Sequence, residues 1–507
     1  MRELSIDGFN LTIEDVIDTS RNNTSVSLSD EAKRRMEESW GVVDNIVHSD
    51  EVVYGINTGF GALSSVTINS EDLRALQENL IRSHACGVGE NMEFEHVKMM
   101  MLIRANTLCR GQSGTRPVVV ETLINMLNSG ICPVIPRIGS LGASGDLAPL
   151  SHLALALIGE GECQILDGDE IVTVSSESAL MKFGITPIVL EAKEGLSLIN
   201  GTSQMCAYMC ETISNMEMLM FASDISAACS VEAIKGSHVP FDSRIHDSRP
   251  HWGQGVSAAR IREVLANSDI NSSHVDCDRV QDAYSFRCVP QVHGPVIDML
   301  REARRIATIE INSATDNPLV FSGVDSGILS GGNFHGQYIA LSSDGLALAC
   351  HEIASISERR MAQILDPQWS GQKPFLANNE GLESGLMIVQ YASAAIVSEL
   401  HLMASPATTS NIPVSMGKED HVSMGATGSH RAMRSSRYLA QVIANELICS
   451  SEALDRISET PGDGVRKIHT WVRNIVPILT TDRSMSKDSM ALSKALLSGE
   501  ITEVFGD

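Results

Sequence analysis

Apolar residues recur every three to four positions in several stretches of the first 195 residues, which is the pattern of amphipathic helices. This spacing predicts a helix over residues 71–84, where Ser70 stands at the expected N-cap. It predicts two more over residues 118–128 and 147–158, each followed closely by glycine, a common residue at helix C-termini. Between residues 164 and 188 the pattern turns strand-like, so we expect a small β excursion there.

Beyond Leu196 the apolar pattern changes to long helical runs separated by loops that carry glycine and proline. Helices of about 25 to 30 residues are about 40 Å long, so we expect them to pack side by side as a bundle. The predicted fold is therefore mainly α, with a long central helical bundle, a loop-rich N-terminal part and a minor β excursion. The predicted long helices cover residues 196–235, 291–312, 336–366, 380–404 and 434–458.

The sequence divides functionally near residue 195. Residues 1–195 are expected to carry the chemically active loops, and residues 196–507 the long helices, as one catalytic unit without a second function. Within the second part, residues 386–402 leave little polar face. A helix that is apolar on more than one stripe is typical of burial on several sides, so we expect this helix to contact neighbouring subunits.

The composition indicates a globular protein without nucleic-acid or membrane partners. Hydrophobic residues make up 43% and charged residues 20%, and the net charge of -25 lacks the basic face that phosphate binding requires. Eleven cysteines, an odd number, favour reduced thiols in the cytoplasm over a disulfide framework. Cys206 and Cys210 have helical spacing, but no second pair completes a metal site, so no metal is predicted. We expect neither a signal peptide in the polar segment 1–7 nor a membrane span in runs such as 386–398.

The tripeptide Ala143-Ser144-Gly145, in the segment GSLGASGDLAPLSH, is the most informative chemical feature. If the Gly145 nitrogen attacks the Ala143 carbonyl carbon and two waters are lost, one from the Ser144 side chain, the backbone closes into a methylidene-imidazolone. Such a ring supplies the electrophilic carbon that ordinary side chains lack. On these residues alone, however, an ordinary turn followed by a helix with Asp146 as N-cap is the commoner structure.

Glycine-rich loops between the predicted helices carry further polar or aromatic residues that packing does not require. Each has an ordinary alternative, such as a packed tyrosine, a histidine at a helix C-terminus, an N-cap or a surface charge pair. The candidates, from the segments YGINTGFG, SHACGVG, EGLSLINGT, GGNFHG and EDHVSMG, are Tyr54, His84, Asn200, Phe334 and Glu419.

A more specific cluster consists of Gln281, Tyr284 and Arg287. Their spacing of three predicts that they share one face of a helical turn. An amide, a phenol and a guanidinium on one face are suited to holding a carboxylate and a proton-transfer group, since the arginine fork matches a carboxylate. A solvated polar face is the alternative.

Together these segments, from Tyr54 to Gly425, resemble those of the aromatic amino acid ammonia-lyase family and follow the family's order. The motif around Ala143-Ser144-Gly145 is the most specific of them. The resemblance implies a mostly α-helical homotetramer whose active sites combine loops of three subunits. It also implies that the three residues form a methylidene-imidazolone, with Ser144 as its dehydroalanine carbon and no external cofactor.

The pair His84 and Glu419 resembles the one found in family members that act on histidine, since a carboxylate can bind an imidazole but would lie unpaired against a phenyl ring. The resemblance thus implies elimination of ammonia from L-histidine to give trans-urocanate, in histidine degradation. Either Tyr54 or Glu419 is the implied base for the β-proton. The remaining implied roles are substrate holding by Arg287 and Asn200, proton positioning by Tyr284 and Gln281, and a pocket wall from Phe334.

Three alternatives stay open at this point. A tyrosine ammonia-lyase or an aromatic aminomutase of the same family would use the same ring, and a non-catalytic helical assembly protein would share only the fold. A cofactor-independent lyase is least favoured, because its Gly-Ser-Ser-x-Met-Pro loop is absent. One departure also stands out: Gly417-Lys418 precede Glu419 where histidine-specific members commonly have Asn-Gln, and the lysine is expected to affect affinity and pH optimum.

Overall fold

The computed structural model describes residues 2–21, 24–49, 51–59, 66–168, 170–274 and 280–505. Helices dominate this part of the chain and strands are few and short, which confirms the predicted mainly α fold. The chain divides into two compact units. The first is Met1–Glu211, Ala303–Asp344 and Pro406–His430; the second is Thr212–Glu302, Gly345–Ser405 and Arg431–Asp507. A functional division at residue 195 remains a prediction.

Eight short or medium helices precede the long ones. Helix α4 is buried almost throughout and packs against α1 and α5, while α5 begins with a proline, whose missing N–H costs nothing at that position. These helices are α1 (Ile13–Arg21), α2 (Asp30–Val47), α3 (Leu73–His84), α4 (Phe94–Cys109), α5 (Pro117–Asn128), α6 (Leu147–Leu157), α7 (Ser176–Lys182) and α8 (Glu194–Ile199).

The later helices include the predicted long ones. Four of them, α9, α14, α15 and α18, have residues in both units. The helices are α9 (Ser203–Ala233), α10 (Ser243–Asp247), α11 (Trp252–Val264), α12 (Asp269–Ser273), α13 (Tyr284–Arg287), α14 (Val289–Glu310), α15 (Gln337–Ile364), α16 (Pro367–Ser370), α17 (Met387–Met403), α18 (Gly425–Leu454), α19 (Asp463–Ile475), α20 (Ser486–Ser498) and α21 (Glu500–Glu503).

The strands form four small sheets in the first unit, each of two or three strands. The predicted β excursion is the antiparallel hairpin β6–β7, which β4 extends to three strands. The others are the parallel pair β1–β2 and the antiparallel pairs β3–β5 and β8–β9. The strands are β1 (Arg2–Ile6), β2 (Thr24–Leu28), β3 (Val88–Asn91), β4 (Cys132–Pro133), β5 (Pro136–Ile138), β6 (Glu162–Asp167), β7 (Glu170–Ser175), β8 (Leu319–Phe321) and β9 (Gly327–Leu329).

Three local predictions were wrong. Ser70 does not cap α3, because it opens a short 3₁₀ turn and Asp72 takes the N-cap position. The single helix predicted over 196–235 is interrupted between α8 and α9, where Asn200 leaves the helical conformation. Gln281 does not share a helical turn with Tyr284 and Arg287, because α13 begins only at Tyr284.

Helix α17 is apolar and largely uncovered within the chain. Ile388, Tyr391 and Leu402 each expose more than half of their surface. Among the described residues, Gln337–Ile364 and Met387–Thr409 are long and apolar enough to qualify as membrane spans by length and composition. The first is 56% buried in the protein and the second 17%. Length and composition alone do not make either helix a membrane span, because the core helix of a soluble protein meets the same criteria.

Candidate active site

The tripeptide lies on a loop that is pinned from several sides. Gly145 has a left-handed backbone (φ +71°) and pairs with Gly201, whose carbonyl oxygen accepts the Asp146 N–H at 2.7 Å. A Cβ on Gly145 would overlap that carbonyl, so only glycine fits. Ala143 is buried in a small apolar cluster with Val422 and Met424. The loop is thus held in one conformation, and the required residue types follow from its contacts.

Ser140, which was not among the predicted site residues, stabilises the loop through hydrogen bonds within residues 140–146. Its Oγ lies 3.1 Å from the Gly145 carbonyl oxygen and 2.9 Å from Oδ1 of Asp146, and it accepts the Gly142 N–H at 3.2 Å. The only signal for Ser140 in the sequence is its position three residues before the tripeptide.

Asp146 does not act as the predicted side-chain cap of α6. It occupies the N-cap position, but its carboxylate makes no capping bond to that helix. Instead Oδ2 accepts the N–H groups of Gln204 and Met205, at 2.8 and 3.1 Å, and so caps α9. Burial raises the pKa of this carboxyl to about 7, against the lowering effect of these hydrogen bonds. Asp146 therefore joins the tripeptide loop to the start of the first long helix.

Two predicted site residues contact Ser144 directly. The Ser144 Oγ lies 3.3 Å from Oε1 of Glu419, within hydrogen-bonding distance. The Asn200 side chain donates from Nδ2 to the Ser144 carbonyl oxygen at 2.9 Å, while its own Oδ1 is buried and finds no hydrogen-bond partner within the described part of the chain. The structure thereby brings a serine hydroxyl, a carboxylate and an amide together around one backbone position.

A tight turn positions the Glu419 side chain beside Ser144. Val414 and Glu419 pair through two backbone hydrogen bonds, at 3.0 and 3.3 Å, and close a turn of four residues. Gly417 has a left-handed backbone (φ +82°) within that turn, and Lys418 follows it. The departure from the family's usual residues thus lies in the turn that orients the carboxylate.

The loop with Phe334 lies against the tripeptide loop. The Gly336 N–H donates to the Gly142 carbonyl oxygen at 3.2 Å, and the Ser423 hydroxyl donates to the same oxygen at 3.0 Å. Phe334 itself is half-buried. A cavity of about 350 Å³ adjoins this loop, and Asn333 and His335 are among its lining residues. Phe334 itself is not among the residues that line this cavity.

His84 and Tyr54 belong to the same unit, but within the described part of the chain neither forms a hydrogen bond with Ser144 or Glu419. His84 is the last residue of α3, and its Nδ1 lies 2.8 Å from the Leu80 carbonyl oxygen. Tyr54 lies on a turn whose next residue, Gly55, packs closely on Leu196 of α8. The end of the predicted tyrosine loop, from residue 60 on, lies outside the described residues.

Gln281, Tyr284 and Arg287 lie in the second unit. The Arg287 guanidinium carbon is 4.5 Å from the Tyr284 ring centroid, and the tyrosine is 71% exposed. Gln281 and Arg287 line a cavity of about 520 Å³, and Nε of Arg287 is buried without a hydrogen-bond partner among the described residues. A cation and an amide thus line one cavity, and a phenol lies against the cation.

The match of the whole chain to known proteins defines its class. A family model for aromatic amino acid lyases matches residues 11–474, which is most of the chain. The chain therefore belongs to the aromatic amino acid lyase family.

Individual relatives carry more specific names. A histidine ammonia-lyase of Myxococcus xanthus is 45% identical over 497 residues, covering 98% of this chain and 97% of its own. The crystal structure of histidine ammonia-lyase from Trypanosoma cruzi superposes with a TM-score of 0.92 at 37% identity, covering 99% and 94%. Tyrosine aminomutase from Streptomyces globisporus superposes equally well, with a TM-score of 0.92 at 34% identity, covering 99% and 98%.

Proposed function

We propose that the chain is a histidine ammonia-lyase, which eliminates ammonia from L-histidine and releases trans-urocanate. In this reaction the bond between Cα and the amino nitrogen breaks, a base takes a β-proton, and the C–H electron pair becomes the double bond. No oxidant is needed. The observation that carries the proposal is the carboxylate of Glu419 beside Ser144, and relatives named histidine ammonia-lyase support it.

We further propose that Ala143-Ser144-Gly145 closes into a methylidene-imidazolone. A bond forms between the Gly145 nitrogen and the Ala143 carbonyl carbon, and two waters leave, one of them from the Ser144 side chain. The residues fit this group, because position 145 excludes a side chain and Asn200 donates to the Ser144 carbonyl oxygen. The ring supplies the electrophilic carbon that receives the substrate's amino group. Asn200 is placed to stabilise negative charge on the retained carbonyl oxygen.

Substrate choice is assigned to His84 and Glu419. A carboxylate in a partly buried site accepts an imidazole N–H, while it would lie unpaired beside a phenyl or phenol ring. Tyr54 and Glu419 remain the two candidates for the β-proton base. Phe334 is proposed as a wall of the pocket.

The second unit is proposed to bind the amino acid end of the substrate. Arg287 offers a guanidinium whose Nε bonds to no other described residue, which suits a carboxylate. Gln281 and Tyr284 are proposed to position protons beside it. We propose that these residues act in a homotetramer with active sites shared between subunits. The bare apolar face of α17 supports such assembly, since other copies of the chain would cover it.

A cytoplasmic location is proposed on the state of the thiols. The ten cysteines within the described part of the chain are all free, and eight of them are buried. Free thiols are typical of a reducing compartment.

The function is tested by incubating purified protein with L-histidine, without added cofactor, and following urocanate by its ultraviolet absorbance. We expect urocanate from the wild type and none from Ser144→Ala. Parallel reactions with L-tyrosine separate the alternatives, because a tyrosine ammonia-lyase would release coumarate and an aminomutase a β-amino acid. Undiminished activity of Ser144→Ala would refute the proposal.

Shared sites are tested by mixing two inactive variants. Ser144→Ala and Arg287→Ala each damage a different contribution to the site. If one site uses residues of different subunits, co-refolded mixtures regain part of the wild-type activity, because some sites receive both intact residues. Equal inactivity of the mixture and of the separate variants would show that each site lies within one chain.

A further inference from the structure

We infer that Arg104 is a positioning residue for the closure of Ala143-Ser144-Gly145, through the Asn200-Gly201 peptide that lies against the tripeptide. This inference rests on the proposed ring. In α4, Arg104 is a cation that directly follows the apolar run from Met99 to Ile103.

Arg104 is almost fully buried, with 1% of its surface exposed. Its Nη2 donates to the carbonyl oxygen of Ser197 in α8, and its Nη1 lies 3.5 Å from the Thr107 hydroxyl. A Cβ on Gly201 would overlap Nη1, so the guanidinium lies directly against the Gly201 backbone. The arginine side chain therefore packs against the Asn200-Gly201 peptide.

The guanidinium also belongs to a buried group of four charges. Lys193 donates to Asp316 at 2.8 Å, and both side chains are essentially fully buried. Asp316 and Asp146 are the two anions that favour the charged form of Arg104, against the burial that lowers its pKa to about 10. Arg104, Lys193, Asp316 and Asp146 thus form one buried electrostatic group in the first unit. Removing one cation leaves an uncompensated buried carboxylate, which is strongly unfavourable.

Helix α8 connects these charges to the tripeptide. It begins directly after Lys193, accepts the Arg104 bond at Ser197 in its middle, and ends at Asn200. Beyond it, Asn200 donates to the Ser144 carbonyl oxygen and the Gly201 carbonyl accepts the Asp146 N–H. Both ends of the Ser144-Gly145 segment are therefore held by a peptide that Arg104 supports.

Ring closure joins two backbone atoms, so it depends on where the surrounding chain holds them. A displacement of about 1 Å slows such an oriented intramolecular reaction about 100-fold. Loss of the guanidinium leaves a gap against Gly201, into which the Asn200-Gly201 peptide can shift. The expected consequence is slow ring formation in a chain that still folds.

The test follows ring formation in Arg104→Lys and Arg104→Met during cell-free synthesis of the full chain. Intact mass reports the loss of two waters, and near-ultraviolet absorbance reports the ring. Arg360→Lys is the matched control, because Arg360 is equally buried and paired with Glu446, but in the second unit. Only soluble protein with wild-type circular dichroism is scored. If Arg104→Met misfolds, Arg104→Lys alone tests the inference. Lysine keeps a positive charge near the two aspartates but lacks the guanidinium that contacts Ser197 and Gly201.

We expect both Arg104 variants to form the ring about 100-fold more slowly than the wild type, and Arg360→Lys to form it at the wild-type rate. Wild-type rates in folded Arg104→Lys would overturn the inference. Slowing of all three variants in proportion to their melting temperatures would also overturn it, because stability alone would then explain the effect. A wild-type chain that never loses two waters would instead refute the proposed ring.

Discussion

The Ser144 Oγ lies 3.3 Å from Oε1 of Glu419, although 275 positions separate the two residues in the chain. A serine in a glycine turn and a glutamate two positions before a histidine are both common in proteins. Their meeting places a carboxylate beside the backbone position from which the reactive carbon is proposed to form.

Glu419→Gln keeps the shape of the side chain but removes its charge. If Glu419 binds the imidazole, kcat/KM for histidine falls about 100-fold or more, because a site built for a hydrogen bond discriminates strongly when the bond is altered. Steady-state kinetics measure this, with intact mass confirming that the ring has formed. Asp420→Asn, a neutralisation at the exposed neighbouring position, is the matched control and is expected to retain activity. Equal kinetics of the two variants would contradict the assignment.

Asn200→Ala removes the donor to the Ser144 carbonyl oxygen. Loss of one donor to an oxygen that carries developing charge lowers kcat by about 100- to 1,000-fold. Single-turnover rates, normalised to the ring content of each preparation, separate this effect from incomplete ring formation. A normalised rate equal to that of the wild type would remove Asn200 from the catalytic machinery.

Gly145→Ala is expected to prevent ring formation, because its Cβ would overlap the Gly201 carbonyl oxygen. Gly130→Ala is the matched control: Gly130 has nearly the same backbone angle (φ +67°), but open space surrounds the added Cβ. We expect the control to lose only about 1 kcal/mol of unfolding free energy and to keep its ring. Intact mass and denaturant unfolding measure both quantities. Ring formation in Gly145→Ala would show that the loop is freer than its contacts imply.

Glu232→Gln changes the pH dependence of stability. Glu232 is fully buried, accepts the Gly462 N–H at 2.9 Å, and has a pKa raised by burial from 4.5 to about 7. Between these pH values the folded chain holds the proton more tightly than the unfolded chain, so wild-type stability falls as pH rises toward and through 7. The neutral amide avoids this loss.

We therefore expect Glu232→Gln to match the wild type near pH 4 and to be more stable at pH 8, by up to about 3 kcal/mol. Urea unfolding at the two pH values measures the difference. An advantage of equal size at both would point to packing rather than to ionisation.

The long helices could be predicted from the sequence because their apolar periodicity persists over many turns. The break at Asn200 could not, since the residues on either side continue the helical pattern and only a contact with Ser144 shows why the backbone departs. In the same way, the sequence around Asp146 predicts that its side chain caps α6. Its carboxylate instead accepts N–H groups at the start of α9, which begins 57 residues later. Contacts between residues far apart in the sequence therefore determine both the helix break at Asn200 and the capping of α9 by Asp146.

The site was partly predictable for a related reason. Ser144, Asn200 and Glu419 were identified through motif resemblance, and the structure brings these three into contact. Ser140 and Arg104 were missed because a serine in a loop and a buried arginine carry no distinctive local pattern. Their importance appears only when the carbonyl groups they contact are known.

The contacts around the tripeptide also set an order of events during synthesis of the chain. Residues 143–145 leave the ribosome early, but the groups that pin their loop include Gly336, Glu419 and Ser423, which are translated much later. A nascent chain that stops before residue 419 lacks that carboxylate altogether. If the proposed ring closes only in a loop held by these contacts, its formation waits for the last fifth of the polypeptide, and chains released before residue 419 do not form it.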